Sequence, residues 1–174
     1  MPEWIITLLT KNYDENYGVV NSRPVVEAVV KESKYPFRDV AETFYEASQR
    51  WQLPLVDAMR TLAATGYCTS SDARLMLDAT RVVAEDAGSE EYFKTVNAMA
   101  SAQALAPAVF DFVRLLLSET NESRRRLAFY TVALLAEKRN TLVPERLRAQ
   151  LRVEADRETS PERQRQFRDV LERL

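Results

Sequence analysis

The sequence predicts an all-α domain of about ten antiparallel helices. Apolar residues recur every three or four positions in most segments, as one buried face of a helix requires. No segment alternates convincingly with a period of two, and neither Asn-Gly nor Asp-Gly, the usual turns of tight β-hairpins, occurs. The seven prolines stand where helices would begin and the three glycines where helices would end. All ten helix-breaking residues therefore fit the same division of the chain into helices.

The first four predicted helices each begin at a proline, which a first helical turn tolerates because its missing N–H would be unpaired there. They span residues 2–17, 24–33, 36–51 and 54–65. Gly18 and Gly66 follow the first and the fourth, at the position that favours a left-handed residue. The first helix has a polar second half, and the second is so rich in valine that a strand is the alternative.

The next two predicted helices begin at polar caps and lie on either side of Gly88. The helix of residues 71–87 is apolar around most of its circumference, which predicts a position between neighbouring helices. In the helix of residues 89–105, the apolar face begins at Phe93 and continues with small residues that suit close packing. The expected caps are Ser70 or Ser71 for the first helix and Ser89 for the second.

The centre of the predicted fold is a pair of helices within residues 107–139, joined by the polar turn of residues 118–121. Asn121 is a good N-cap for the second of them. Neither helix can bury its apolar stripe alone, so each needs the other and further neighbours. Two more helices follow over residues 144–155 and 161–174. The side chains expected deep in the core are Phe44, Phe110, Val113, Leu116, Leu127 and Leu135.

The composition predicts a single soluble, cytoplasmic domain over residues 1–174. With 46% hydrophobic and 29% charged residues, the chain can bury a core without metals or disulfides. The single cysteine, Cys68, excludes an internal disulfide, and we expect a packed loop thiol there rather than a nucleophile. Lys11 is the first basic residue, so we expect no signal peptide. No apolar run reaches the roughly 18 residues that cross a bilayer.

The absence of histidine narrows the possible functions. Histidine is the side chain most used for general acid–base catalysis and the commonest metal ligand. Its absence excludes serine and cysteine triads with a histidine base and every histidine-bearing zinc site. No Cys-x-x-Cys pair occurs, and three isolated glycines cannot form a phosphate-binding loop. We therefore expect no enzymatic activity, no cofactor and no metal site.

Residues 107–174 resemble a HEAT-like repeat. The helix start NESRR (121–125) shares a small polar cap, an acid and an arginine with SSDAR (70–74) and SPERQ (160–164). ESRRRLAFYTVALLAEK resembles the second helix of such a repeat, VFDFVRLLLSETN resembles its first helix and turn, and residues 143–174 would form the following repeat. The resemblance implies helical hairpins stacked as an α-solenoid with an elongated binding surface. An irregular bundle of ordinary helical hairpins is the alternative.

Charge is unevenly distributed along the chain. Residues 1–120 hold 11 basic and 17 acidic residues, a net charge of −6, whereas residues 121–174 hold 13 and 9, a net charge of +4. The two parts either neutralise each other within the fold or offer two kinds of surface to partners.

Two charged clusters are the candidate partner contacts. Arg124, Arg125 and Arg126 stand in the first turn of a predicted helix, where the helix macrodipole disfavours positive charge. Salt bridges to Glu119, to Glu122 or to the next hairpin are one explanation, and contact with a phosphate or an acidic partner is the other. Glu85 and Asp86 stand at the predicted C-terminus of a helix, where the macrodipole disfavours negative charge. Contact with a basic partner is therefore one explanation for their position. The candidate contacts are Glu85, Asp86, Glu90, Glu91, Arg124, Arg125 and Arg126.

These features favour a non-catalytic helical scaffold that binds another protein. In its most concrete form it would be a bacterial immunity protein or antitoxin that covers the active site of a cognate toxin, and a basic active site would complement the acidic part of the chain. A nucleic-acid-binding or DNA-glycosylase-like HEAT-like repeat protein is the alternative, although the acidic balance counts against it. A histidine-free enzyme that uses carboxylates is a third class. We expect neither membranes nor nucleic acid among its partners.

Overall fold

A computed structural model describes residues 3–86, 88–101, 106–139 and 142–174 of the chain. Helices hold 78% of the described residues, which confirms the all-α fold class. Pro2 and the last residues of the predicted helix 89–105 lie outside the described ranges. Within those ranges the helices are α1 (Glu3–Lys11), α2 (Ser22–Glu32), α3 (Pro36–Glu46), α4 (Gln49–Thr65), α5 (Ala73–Val83), α6 (Glu90–Ser101), α7 (Ala106–Leu117), α8 (Glu122–Arg139), α9 (Glu145–Arg157) and α10 (Pro161–Glu172).

The helices stack in sequence order in two layers. Each odd-numbered helix packs on the next odd-numbered helix, each even-numbered helix packs on the next even-numbered one, and consecutive helices such as α3–α4 and α7–α8 pair as hairpins. Contacts along a layer join residues roughly 35 positions apart, a period typical of α-solenoids. Arg38 and Asp72 are 34 residues apart, and Arg60 and Thr95 are 35 apart. Stacking in this order keeps the acid-rich and base-rich parts of the chain at opposite ends.

The three similar helix starts do not occupy equivalent places. Residues 121–125 and 160–164 open α8 and α10, which are even-numbered helices of successive hairpins, whereas residues 70–74 precede and open α5 in the odd layer. The similarity of residues 70–74 therefore reflects capping chemistry that both layers share. Within residues 107–174, α7 packs on α9 and α8 packs on α10, and the resemblance of this segment to a HEAT-like repeat stays a prediction.

The core lies between the two layers. The six side chains expected there are each at most 8% exposed. α5 contacts α3, α4, α6 and α7, as its broad apolar surface predicts, and α8 is similarly enclosed by α6, α7 and α10. No described helix combines the length and the apolar character that crossing a bilayer requires.

The predicted helix of residues 2–17 is wrong in its second half, because α1 ends at Lys11 and a β-hairpin follows. The two strands are β1 (Tyr13–Asp14) and β2 (Val19–Val20), paired antiparallel. The Asp14 carboxylate accepts the Asn16 N–H at 2.9 Å, and its carbonyl accepts the Gly18 N–H at 2.8 Å. Gly18 has a φ of 65°, which glycine adopts without steric cost, so this residue turns a hairpin and does not end a helix.

The predicted helix of residues 36–51 is divided between two helices. α3 ends at Glu46 and α4 begins at Gln49, with Ser48 extended at the break. Pro54 consequently lies inside α4 rather than at its start. A proline so near the beginning of a helix removes one hydrogen bond, and burial of the apolar face of α4 outweighs that loss.

The other two glycines, each predicted to end a helix, differ in what the structure shows. Gly66 ends α4 in a left-handed conformation, with a φ of 103°, as predicted. Gly88 does not end a helix, because α5 already stops at Val83 and the glycine has no positive φ. Thr69, rather than either following serine, caps the short 3₁₀ turn before α5, and its N–H donates to the carboxylate of Asp72 at 2.9 Å.

Candidate protein-binding surface

The candidate partner contacts lie on one edge of the stack. Because consecutive helices run antiparallel, the turns that join each odd-numbered helix to the next even-numbered one lie side by side. Residues 85–86 and 88–91 surround the α5–α6 turn, and residues 124–126 follow the neighbouring α7–α8 turn. We call this edge, made by residues 84–86, 88–89, 118–121 and 158–160, the turn edge.

Three of the four predicted acids point into solvent at the turn edge. Glu85, Asp86 and Glu90 are exposed. Asp86 accepts the Gly88 N–H at 2.8 Å, which holds the turn closed. Glu90 is 79% exposed and pairs with Lys94 one helical turn later, at 3.2 Å. These carboxylates are therefore accessible to a cation on another molecule.

Glu91 has a different environment from its three neighbours. Its side chain is only 16% exposed, and its carboxylate lies 2.7 Å from Nη1 of Arg60 and 3.1 Å from Nζ of Lys94. Burial raises the pKa of Glu91, but hydrogen bonds and charge from Arg60 and Lys94 outweigh it and leave the pKa below its usual value. Glu91 thus holds two helices together, and its contact with a partner stays a prediction.

Arg60 is a buried cation that sequence reasoning missed. Its side chain is 6% exposed, and Nη1 lies 2.8 Å from the carboxylate of Asp57. Nε donates to the Thr95 hydroxyl at 3.0 Å, and Nη2 donates to the Glu91 carbonyl at 2.8 Å. The Thr95 hydroxyl in turn shares a 2.8 Å hydrogen bond with Thr80. The network joins α4, α5 and α6, and the only signal for it was an arginine within the apolar stripe of α4.

A groove lined by both apolar and polar side chains borders the exposed acids. It has a volume of about 380 Å³, lies between the first turns of α4 and the end of α5, and is lined in part by Gln49, Leu53, Val82 and Glu85. Leu53 and Val82 are exposed there. Apolar side chains beside a charged rim are typical of protein interfaces.

Arg125 and Arg126 connect α8 to the last hairpin. Nε of Arg125 lies 2.5 Å from Glu154, and Nε of Arg126 lies 2.7 Å from Glu158. Arg126 also pairs with Glu122 in its own helix. The hydrogen bond from Arg126 lowers the pKa of Glu158 to about 2, against the opposing effect of burial. The predicted salt-bridge network is therefore confirmed, and a partner role for these arginines stays a prediction.

Arg124 shares the carboxylate of Glu119 with Arg81. Nη1 of Arg124 lies 3.3 Å from one oxygen of Glu119, and Arg81 contacts the other oxygen. The guanidinium of Arg124 also lies 5.6 Å from the ring centre of Tyr92, a fully buried side chain. Arg124 therefore ties α8 to α5, to α6 and to the turn after α7.

Phe93, expected on the buried face of its helix, is exposed. Phe93 on α6 is 41% exposed and Tyr130 on α8 is 48% exposed. Their ring centres are 6.1 Å apart, with an angle of 70° between the planes. Tyr92, rather than Phe93, is the buried aromatic, because Tyr92, Val96 and Met99 follow one another at spacings of four and three on the core face.

Cys68 lies away from these contacts and is buried. Burial, with a smaller effect of the Asp72 charge, raises the pKa of its thiol to about 12, so the thiolate is scarce at neutral pH. Across the described ranges, no group of three or more cysteine, aspartate and glutamate side chains is arranged to hold a metal ion.

The chain matches no family model, no curated protein and no solved structure. What the surface does must therefore be inferred from its own residues.

Proposed function

We propose that the chain is a non-catalytic helical scaffold that binds another protein. In its most concrete form it is a bacterial immunity protein or antitoxin that acts in the cytoplasm and neutralises a toxin by covering its active site. The observation that carries this proposal is the group of exposed carboxylates at the turn edge, beside the groove of Leu53 and Val82.

The charge of this region supports a basic partner. We define the acidic cluster as Asp57, Glu85, Asp86, Glu90 and Glu91 together with the cations Arg60 and Lys94. Five carboxylates and two cations, of which Arg60 is buried, give this cluster a net charge of −3. Toxins that act on nucleic acids or nucleotides need basic active sites, and complementary charge speeds the encounter of two such proteins.

The arginines at positions 124–126 are poor candidates for partner contacts, which favours binding through the acidic cluster. The three arginines at positions 124–126 are engaged with Glu119, Glu154 and Glu158, so their charge is already paired within the fold. These three arginines therefore do not support the alternative of a nucleic-acid-binding repeat protein.

The proposal is tested by reversing charge in the acidic cluster. The natural partner is captured from a native lysate, identified by mass spectrometry and purified for kinetic measurements. We expect Glu85→Lys with Asp86→Lys to slow association at least several-fold at low salt, with an effect that shrinks as salt screens the charges. The melting temperature should change little, because both side chains are exposed and the hydrogen bond that Asp86 loses, from the Gly88 N–H, lies in an exposed turn.

Glu162→Lys with Glu172→Lys is the matched control, since it changes the net charge equally on exposed residues of α10. The control should leave association nearly unchanged. Equal effects of the two double variants would show that net charge alone matters, and an unaltered association rate in both would refute the acidic surface.

A further inference from the structure

The aromatic pair of Phe93 and Tyr130 is continuous with the acidic cluster. Phe93 lies three residues after Glu90 on the same helix, a spacing that brings side chains next to each other. Tyr130 belongs to the neighbouring even-numbered helix and meets Phe93 edge to face. An exposed carboxylate and two exposed rings therefore lie together on the surface of the even layer.

The same chain shows how such a pair of rings is used elsewhere. Tyr13 and Trp51 also meet edge to face, with ring centres 5.9 Å apart and an angle of 84°. The guanidinium of Arg50 lies over both rings, 4.6 Å from each centre. Among the described residues, no cation lies over Phe93 or Tyr130 in this way.

We propose that the Phe93–Tyr130 pair binds an arginine side chain of the partner protein, with Glu90 pairing the same guanidinium. This inference rests on the proposed function and names the anchor of its binding surface. The planar guanidinium stacks on aromatic faces and also donates paired hydrogen bonds to a carboxylate. Glu90 is 79% exposed and negatively charged beside the two rings, which favours a cationic occupant over an acidic one.

A lysine would use this site less well than an arginine. Its ammonium is a strongly hydrated point charge, whereas the guanidinium is weakly hydrated and offers a flat face to the rings. Aromatic and arginine side chains are also the commonest energetic anchors of interfaces. The aromatic pair should therefore govern how long the complex lasts, while the exposed acids govern how fast it forms.

Short peptides test the chemistry of the site without the natural partner. Three probes are titrated into the isotope-labelled full chain: Ac-Gly-Arg-Leu-Arg-Gly-NH₂, the same peptide with both arginines replaced by lysine, and the same peptide with both replaced by uncharged citrulline. We expect the arginine peptide to shift the amide signals around Glu90, Phe93 and Tyr130. It should bind roughly two- to five-fold more tightly than the lysine peptide, and the citrulline peptide should bind more weakly still.

Variants then assign the binding to the two rings. Phe93→Leu with Tyr130→Leu keeps apolar side chains in place but removes both rings, and it should erase the preference for arginine over lysine. Tyr17→Ala, at an exposed tyrosine in the turn of the β-hairpin, is the control and should bind the arginine peptide like the wild type. Equal affinity for the arginine and lysine peptides in the wild type, or signals that shift elsewhere on the chain, would overturn the inference.

The natural partner separates this inference from the function on which it rests. If reversal of Glu85 and Asp86 slows association but the leucine variant dissociates from the partner at the wild-type rate, the protein-binding function stands and the arginine site is refuted. If the leucine variant instead abolishes a self-association seen by sedimentation velocity, the occupant is a second copy of the chain, and the inference of an arginine from a different protein fails.

Discussion

Glu91→Gln, compared with Glu90→Gln, tests whether Glu91 stabilises the fold while Glu90 contributes little to stability. The two residues are adjacent and the substitutions are chemically identical. Glu91 receives hydrogen bonds from the buried Arg60, whereas Glu90 is 79% exposed and, among the described residues, pairs with the side chain of Lys94 alone. The structure therefore predicts that one change destabilises the fold and the other does not.

The expected magnitudes follow from these contacts. A hydrogen bond to a charged group contributes about 1.5–3 kcal/mol, but the amide oxygen of glutamine can still accept from Arg60, and Asp57 continues to pair with it. We expect Glu91→Gln to lower the free energy of unfolding by about 1–2 kcal/mol. Glu90→Gln should lower it by less than about 0.5 kcal/mol, as for other exposed ion pairs.

Urea unfolding followed by circular dichroism at neutral pH and at pH 3 measures both effects. The folded-state pKa of Glu91 is lowered, so its stabilising contribution is complete above the unfolded pKa and is lost as the pH falls through the folded value. The difference between wild type and Glu91→Gln should therefore shrink at low pH. Equal destabilisation by the two variants at neutral pH would show that the burial of Glu91 and its pairing with Arg60 contribute nothing specific.

Three further predictions concern the core, the last hairpin and the thiol. Leu116→Ala and Leu135→Ala should each lower the free energy of unfolding by about 2–5 kcal/mol in urea titrations, and a loss below about 1 kcal/mol would mean that the facing stripes are misassigned. The pKa of Glu158 lies near 2 rather than 4.5, so its contribution is complete above 4.5 and is lost as the pH falls towards 2. Glu158→Gln should accordingly lose less stability than the wild type between pH 5 and pH 2.5 in thermal unfolding. Cys68 should react with a disulfide reagent only as the chain opens, so urea should accelerate the reaction, and rapid modification in native buffer would contradict its burial.

Helical periodicity was the most reliable signal in the sequence. The valine-rich segment of residues 24–33 is helical, in α2, although β-branched residues favour strands. Val25 and Val29 are buried four residues apart on one face, and Asn21 caps the helix through its side chain. Packing of that face overrides the intrinsic preference of valine.

The positions of proline and glycine predicted the ends of helices less reliably than apolar periodicity predicted the helices themselves. Proline tolerates the beginning of a helix but does not define it, which is why Pro54 lies inside α4. A left-handed glycine occurs in hairpin turns as well as after helices, and Gly18 takes the first role. Each of these residues is compatible with two local structures, and only the tertiary packing decides between them.

The candidate surface was predictable only where a single helix determines it. Glu85 and Asp86 are exposed, as charged residues near a predicted helix end usually are, although α5 ends at Val83 and both acids lie beyond its last turn. The pairing of Glu91 with Arg60 joins residues 31 positions apart on different helices, and no local pattern reports such a contact. The exposure of Phe93 likewise depends on how α6 lies against α8.

Stacking in sequence order also determines where the fold is weakest. In a stack of hairpins, stability is the sum of each hairpin's own stability and of its contacts with its neighbours, and a terminal hairpin has one neighbour only. On α10, Phe167 is the one buried side chain among the described residues, and it stacks on Phe129 of α8 at 3.8 Å. The other helix of this hairpin, α9, buries Leu147, Leu151 and Ala155, and the ion pairs of Arg125 with Glu154 and of Arg126 with Glu158 supplement these apolar contacts. Opening of that hairpin would leave the acidic cluster intact, because the contacts that hold Glu91 come from α4 and α6.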